Sequence, residues 1–211
     1  GGVVGMVAAS EPLGHAKLIG FDMGGTSTDV AHYAGEYELT GDNVVAGVRV
    51  AAPMMQIHTV AAGGGSICSF DGARFRVGPE SAGADPGPAC YRKGGPLTVT
   101  DCNLFLGRLD PAFFPRVFGP GGDEPLDAGA ARARLEEVAE RMPGPKSLQE
   151  IAEGFLDIAV DNMANAIRKI SVARGHDVTT YALACFGGAG GQHAARVADR
   201  LGIETVLVHP L

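Results

Sequence analysis

Leu18-Ile19-Gly20-Phe21-Asp22-Met23-Gly24-Gly25-Thr26-Ser27-Thr28-Asp29-Val30-Ala31 is the stretch that decides the fold. An apolar run on each side of a glycine pair reads as two strands joined by a tight turn. Gly24 and Gly25 let the backbone approach an anion with no Cβ in the way, and Thr26, Ser27 and Thr28 add hydroxyls able to donate to phosphoryl oxygens. Asp22 and Asp29 would repel a phosphate unaided, so the pattern calls for a cation. Mg²⁺ suits it, being typically held by one or two carboxylates plus substrate phosphates. Taken alone, the stretch could equally be an ordinary glycine turn with solvated Asp and Thr.

A second glycine-rich segment lies far downstream. Ala182-Leu183-Ala184-Cys185-Phe186 reads as a buried strand, Gly187-Gly188-Ala189-Gly190-Gly191 as a turn, and Gln192 to Leu201 as a helix with apolar Ala194, Ala195, Val197, Ala198 and Leu201. A helix N-terminus presents unpaired N–H groups and the positive end of the dipole, which stabilise a phosphate; a tight β-to-α connection is the plain alternative. No Gly-x-x-x-x-Gly-Lys-Ser/Thr occurs, and neither turn supplies Gly-x-Gly-x-x-Gly with an acid about 20 positions on in a βαβ unit. A P-loop and a dinucleotide fold are thereby set aside.

The two turns resemble those of the actin, sugar kinase and heat-shock chaperone ATPases, in which an Asp-x-Gly-Gly-Thr-x-x-Asp strand turn and a glycine adenosine loop serve one lobe. Longer runs narrow this: Ile19 to Val30, Thr59-Val60-Ala61-Ala62-Gly63-Gly64-Gly65-Ser66, Val77 to Tyr91 and Ala173-Arg174-Gly175-His176-Asp177 resemble the hydantoinase A/5-oxoprolinase family, and Pro79 to Pro96 is most similar to its 5-oxoprolinase branch. The resemblance covers nearly all of the chain. It implies an α/β fold with a ribonuclease H-like mixed sheet flanked by helices, as in an actin-like ATPase lobe, carrying a Gly/Pro-rich loop and hairpin insertion over about 63–125. It further implies ATP and Mg²⁺ as cofactors, with Asp22 and Asp29 as catalytic and metal-binding residues. Gly24, Gly25, Thr26, Ser27, Thr28, Gly63, Gly64, Gly65, Gly187, Gly188, Ala189, Gly190 and Gly191 would bind the nucleotide.

The activity so implied is ATP-driven opening of a lactam or hydantoin ring, in which phosphorylation of a poorly electrophilic amide carbonyl makes attack by water feasible. The partners implied are a small-molecule cyclic amide, a hydantoinase B-type subunit or domain, and a first ATPase lobe whose own glycine turn has no copy here. Residues 1–211 are therefore expected to be a slice of a larger protein, the second ATPase lobe, with little or no activity alone; the start at Gly1 without Met and the strand-like ending at Val206 to Leu211 point the same way. A ketone carboxylase subunit, a sugar- or acetate-type kinase and a non-catalytic nucleotide module are the alternatives. One departure from the family pattern stands out: Gln56-Ile57-His58 occupies the place where Asp-Ile-Asn is expected.

A net charge of −7 with 45% hydrophobic and 19% charged residues fits a globular domain rather than a disordered one. Without a Lys/Arg stripe it lacks the footprint of a nucleic-acid binder. No apolar run approaches the roughly 20 residues that span a bilayer, and no basic segment precedes an apolar leader, so no membrane partner and a cytoplasmic location are expected. Cys68, Cys90, Cys102 and Cys185 form no C-x-x-C pair and read as buried free thiols. His58 and His193 flank the glycine segments and are minor candidates.

For the rest, residues 1–60 read mostly as strand and turn, with a strand over Val44 to Val50 after Gly41-Asp42-Asn43. Residues 63–125 read as loops and hairpins around segments such as Arg74 to Val77 and Leu97 to Thr100, anchored by Phe70, Phe75, Tyr91, Leu104, Phe105 and Leu106. Asp101, Asn103 and Arg108 either face a cleft or, for Asp101, cap a helix. A surface helix is expected over 126–141. A longer one follows Ser147, which with Glu150 makes a capping box, its apolar stripe running through Ile151, Phe155, Ile158, Ala159, Met163, Ala166, Ile167 and Ile170 to a stop at Gly175. Arg168, Lys169 and Arg174 lie near that end.

Overall fold

The computed structural model describes residues 1–41, 43–45, 48–50 and 53–209. They group into two compact units: Gly1–Asp22, Asp29–Val60 and Ala164–Leu211 form the first, Met23–Thr28 and Ala61–Met163 the second.

The first unit is built on a five-stranded sheet in the order β11-β10-β1-β2-β7, where β1 is Leu18–Met23, β2 Thr28–Tyr33, β7 His58–Val60, β10 Ala182–Phe186 and β11 Thr205–Val208. β10 runs parallel to both β1 and β11. β1 and β2 are neighbours joined by the glycine turn, as the apolar runs foretell. Five of the six residues of β1 are buried, all but Asp22, the pattern of a strand covered on both faces.

Helix α1 (Gly2–Ser10) overturns the reading of the N-terminus as strand and turn. Gly2 and Gly5 disfavour a helix by propensity, yet close packing requires a small residue at Gly2. A Cβ on Gly2 would come within 2.7 Å of the Phe186 ring, and one on Gly20 within 2.9 Å of Met6 Sδ. The helix thereby seats Met6 and Val7 against Leu18, Tyr33, Ala182 and Ala184. Helix α5 (Ala194–Leu201) contributes Val197, Ala198 and Leu201 to the core. Between β2 and β7 lie β3 (Leu39–Thr40), paired with β6 (Met54–Met55), and β4 (Asn43–Val45), paired antiparallel with β5 (Val48–Val50). The expected single strand over 44–50 is thus two short strands that pair with each other, and Asp42 of the expected turn lies outside the described residues.

The second unit holds the hairpin of β8 (Ser66–Phe70) and β9 (Phe75–Ser81), helices α2 (Val99–Phe105) and α3 (Ala128–Glu140), and α4 (Leu148–Ile170) as far as Met163. Leu97 to Thr100 leads into α2: Thr98 accepts at the Asp101 N–H while Asp101 accepts at the Thr98 N–H, a reciprocal capping box. Cys90, Leu104, Leu109, Phe118, Leu126 and Ala131 form a core with Tyr91 and Phe114 on its edge. Phe75 packs on Phe155 of α4 with ring centroids 4.5 Å apart. The α4 cap is as expected, Ser147 N donating to Glu150 Oε2 at 2.8 Å and Glu150 N to Ser147 Oγ at 3.2 Å. Its stripe is buried apart from half-buried Ile158. The helix stops at Ile170; a 3₁₀ turn over Val172–Arg174 intervenes before left-handed Gly175. Among the described residues no helix is long and apolar enough to cross a membrane.

Candidate nucleotide and metal site

In the first unit, β1 and β10 pair in parallel register with Asp22 opposite Phe186. Asp22 and the Gly187–Gly191 turn therefore leave the sheet side by side at the carboxyl ends of adjacent strands, where open α/β sheets bind ligands. Asp22 and Asp29 line one cavity of about 320 Å³ together with Gly2, Gly20, Ile57 and Phe186. Asp29 Oδ1 accepts from Thr59 Oγ1 at 2.6 Å. Burial, and then the Asp29 charge, push the Asp22 carboxyl above its ordinary range. Two carboxylates turned toward one cavity, the Asp29 charge raising the cost of ionising Asp22, are a donor set that a hard cation relieves. The residues present fit Mg²⁺.

Gly187 sits at φ +85°, in the left-handed region where glycine is favoured. Gly187, Gly188 and Gly191 are exposed and Ala189 is half-buried, whereas Gly190 is buried, and a Cβ there would lie 2.7 Å from Cys185 Sγ. A 3₁₀ turn over Gly190–Gln192 separates the strand from α5, which begins at Ala194 rather than at Gln192. Glycines favour the tighter turn here because they disfavour the helix. His193 occupies the N-cap position and is buried, and His58 lies half-buried on β7. Burial and the Asp22 charge push the Cys185 thiol up to about 11, which removes it as a nucleophile at neutral pH.

In the second unit, Gly24 N donates to Ser27 O at 3.0 Å, closing the first turn with Gly25 and Thr26 exposed and Ser27 half-buried. Thr28 is buried and its hydroxyl donates to Ala62 O at 2.5 Å. The Gly63-Gly64-Gly65 segment lies against this turn backbone to backbone. Gly64 N donates to Gly24 O at 3.1 Å and Gly65 N to Gly25 O at 2.6 Å, and Gly63 N donates to Ser66 Oγ at 2.9 Å. A Cβ on Gly63 would lie 2.6 Å from Thr26 C and 2.7 Å from Ser27 N, so no side chain fits.

The Pro79 to Pro96 run is held by Asp101, which is wholly buried. Its Oδ1 accepts from Cys90 N at 2.8 Å and its Oδ2 from Ala89 N at 3.1 Å and from Thr98 N and Oγ1 at 2.9 Å each. Asp101 is thus the helix cap and a clamp on the loop. Asn103 is buried, and Arg108 Nη2 donates to both oxygens of Glu153 at 2.7 and 2.9 Å, so both serve the interior. All four cysteines are free and buried; burial and the Asp101 charge hold the Cys90 thiol far above its usual range. A cavity of about 540 Å³ is lined by Ala89, Arg92, Gly95, Asp127 and Arg134. Its guanidiniums are compensated, Arg92 by Glu124 and Asp127, Arg134 by Glu137.

Sequence reasoning missed a second polar cluster in the first unit: His32, Glu38, His176 and Tyr181. Its members are brought together from separations of 6 and 149 residues, and no motif joins them. Arg174, placed by sequence near the end of a helix, ion-pairs with Glu38 at 2.7 Å and donates to Gln56 Oε1 at 3.2 Å. The Gln56 departure thus supplies a neutral acceptor beside an ion pair. Arg168 donates to Asn165 Oδ1 and to Arg200 O.

A mixed sheet flanked by helices, with an acidic turn and a glycine turn leaving its parallel strands at one end, defines an α/β lobe. Residues 1–211 match the hydantoinase/oxoprolinase family model, and the chain belongs to that family. It is 51% identical to a 5-oxoprolinase of Saccharomyces cerevisiae over 99% of its own length, which is 17% of that protein. It is 38% identical to caprolactamase subunit alpha of Pseudomonas jessenii, covering 96% of this chain and 29% of that one. The crystal structure of the ATP-dependent caprolactamase from Pseudomonas jessenii superimposes with a TM-score of 0.80 at 37% identity over 96% of this chain and 29% of that chain. A nucleotide-free acetone carboxylase superimposes with a TM-score of 0.81 at 28% identity over 97% of this chain and 29% of that chain. The chain spans under a third of each of these relatives.

Proposed function

We propose that the chain is the ATP-binding part of a larger ATP-dependent cyclic amidase that opens a lactam or hydantoin ring of the 5-oxoproline kind. The observation that carries this is the parallel β1–β10 register, which delivers Asp22 and the Gly187–Gly191 turn to the same sheet end. Bound ATP would supply the phosphoryl group that makes an amide oxygen a leaving group. The chain's own part is positioning and charge. Asp22 and Asp29 hold Mg²⁺, and Gly25, Thr26 and Ser27 offer donors to phosphate. Gly187, Gly188, Ala189 and Gly191 form the nucleoside side, with Gly190 packed beneath them.

Gly63, Gly64, Gly65 and Thr28 act in this reading by bracing the first turn, since their amides and hydroxyl are engaged by the protein. The remaining lobe, the cyclic amide and a B-type subunit or domain complete the enzyme, and the part alone is expected to be inactive. The names of the 5-oxoprolinase and caprolactamase relatives favour this substrate class. Likeness to acetone carboxylase sustains ketone carboxylation as a second reading.

The test is phosphate release by the full-length parent with 5-oxoproline, hydantoin, caprolactam or acetone plus bicarbonate. Stimulation by a cyclic amide, lost in Asp22→Ala, supports the amidase. Stimulation by acetone and bicarbonate alone moves the reading to carboxylation, and hydrolysis indifferent to every substrate moves it to a nucleotide module.

A further inference from the structure

At the end of the first unit's sheet opposite Asp22, three residues bring ligand atoms together. β10 begins at Ala182 opposite Leu18 and reaches Phe186 opposite Asp22, so Tyr181 and Asp22 stand roughly 16–17 Å apart along the strands at about 3.3 Å per residue. There His32, Glu38 and His176 each offer one ligand atom, all within 4.8 Å of one another. His32 Nδ1 lies 2.7 Å from Glu38 Oε1, its Nε2 lies 2.8 Å from the Tyr181 hydroxyl, and the His176 ring stacks on it at 4.1 Å.

We propose that His32, Glu38 and His176 form a site for a divalent transition ion, with Zn²⁺ as the type case. Two imidazoles and one carboxylate are the donor set of open zinc sites, whereas Mg²⁺ and Ca²⁺ take oxygen ligands. A tetrahedral ion with bonds of 2.0–2.1 Å sets its donors roughly 3.3 Å apart. The His32–Glu38 separation of 2.7 Å is shorter than that and the remaining pairs lie within 4.8 Å, so a small rotation of half-buried His176 is what the ion requires.

The surroundings already hold the outer contacts that such ligands need. Glu38 Oε2 accepts from Arg174 Nη1 at 2.7 Å, leaving Oε1 turned to His32, and Arg174 is held in turn by Gln56. Without the ion, Nδ1 must carry the His32 proton, because a carboxylate only accepts; the Tyr181 O–H then donates to Nε2. With it, the imidazole proton passes by solvent exchange from Nδ1 to Nε2, Nδ1 binds the metal, and the Tyr181 oxygen becomes the acceptor. No net proton is gained or lost. The ion would clip the segment around Glu38 and the turn before β10 onto β2. A water completes the coordination.

The test loads the full chain with Zn²⁺ alone and counts bound metal after dialysis, with Co²⁺ absorption reporting the coordination geometry. One ion per chain is expected, with a rise in Tm. Affinity should fall at least tenfold in His176→Ala and in Glu38→Gln, each verified as folded by circular dichroism, and should hold in Asp22→Asn. A folded wild-type chain that takes up no Zn²⁺, or uptake that survives both substitutions, overturns the site. So does uptake lost only in Asp22→Asn, which would assign the ion to the acidic end of the sheet.

Discussion

Asp22 and Asp101 are both carboxylates that burial drives upward in pKa, and they differ in what meets them. Asp101 is enclosed in the second unit by three backbone N–H groups and a hydroxyl, and hydrogen bonds to the loop and to Thr98 pull against the burial. Asp22, in the first unit, meets another carboxylate, and the Asp29 charge adds to the burial instead of opposing it. Every oxygen contact of Asp101 is explained by the fold. The placement of Asp22 opposite a like charge on an open cavity costs stability, and such perturbed groups in cavities mark functional sites more often than structural ones.

The largest effect expected from this contrast is on activity. Asp22→Asn in the full-length parent should lower Mg²⁺-dependent ATP turnover by about 100-fold or more, beyond the 10–100-fold typical of losing a partner of a metal ligand. Intact turnover would erase the distinction between the two carboxylates. Asp101→Asn should act on the fold: an amide turns an NH₂ toward donors, leaving buried N–H groups unsatisfied at a cost of about 3 kcal/mol. Urea unfolding of the chain measures it. A midpoint unchanged from wild type would show that the loop over Ala89 and Cys90 needs no clamp. Gly63→Ala comes next at about 2 kcal/mol, since the added Cβ meets backbone atoms of Thr26 and Ser27 rather than a side chain that can swing away. The same variant in the parent should also slow ATP turnover by displacing the first turn; loss of stability with turnover preserved would separate the brace from the site.

How much of this was legible in the sequence follows from the range of the interactions. Both glycine turns were readable because a strand, a turn and its acids are contiguous, and the α4 capping box because its partners are three residues apart. α1 was hidden by Gly2 and Gly5; the reason for Gly2 is tertiary, since it admits the Phe186 ring, as Gly20 on β1 admits Met6. The Gly63-Gly64-Gly65 segment was visible as a motif, but glycine alone does not tell an amide aimed at a ligand from one bonded to Gly24 and Gly25. The His32, Glu38, His176 and Tyr181 cluster had no local signature at all, since strand register assembles it. Asp101 lay between these cases, its cap being local and its grip on Ala89 and Cys90 not.

The smallest predicted effect is the sharpest test of the contrast, because it isolates the charge on Asp22 from its chemistry. The folded pKa of Asp22 is raised above the 3.8 of an unperturbed carboxyl, so around and above that pH the folded chain binds its proton more tightly than the unfolded chain does. The stabilisation from this group is complete below the unfolded value and is lost as pH rises through the folded one. In magnesium-free buffer, the wild-type chain should therefore lose stability relative to Asp22→Asn from about pH 4 upward. The two should differ by a constant amount below that. Carboxylates remote from Asp22 titrate in the same window, but they are common to both chains and cancel in the difference. Millimolar Mg²⁺ at neutral pH should then narrow the gap, because an ion between Asp22 and Asp29 relieves the repulsion in the wild type and finds only one carboxylate in the variant. Parallel stability curves at every pH would mean that Asp29 and burial leave Asp22 unperturbed, and a gap insensitive to Mg²⁺ would mean that the two carboxylates share a cavity without sharing a cation.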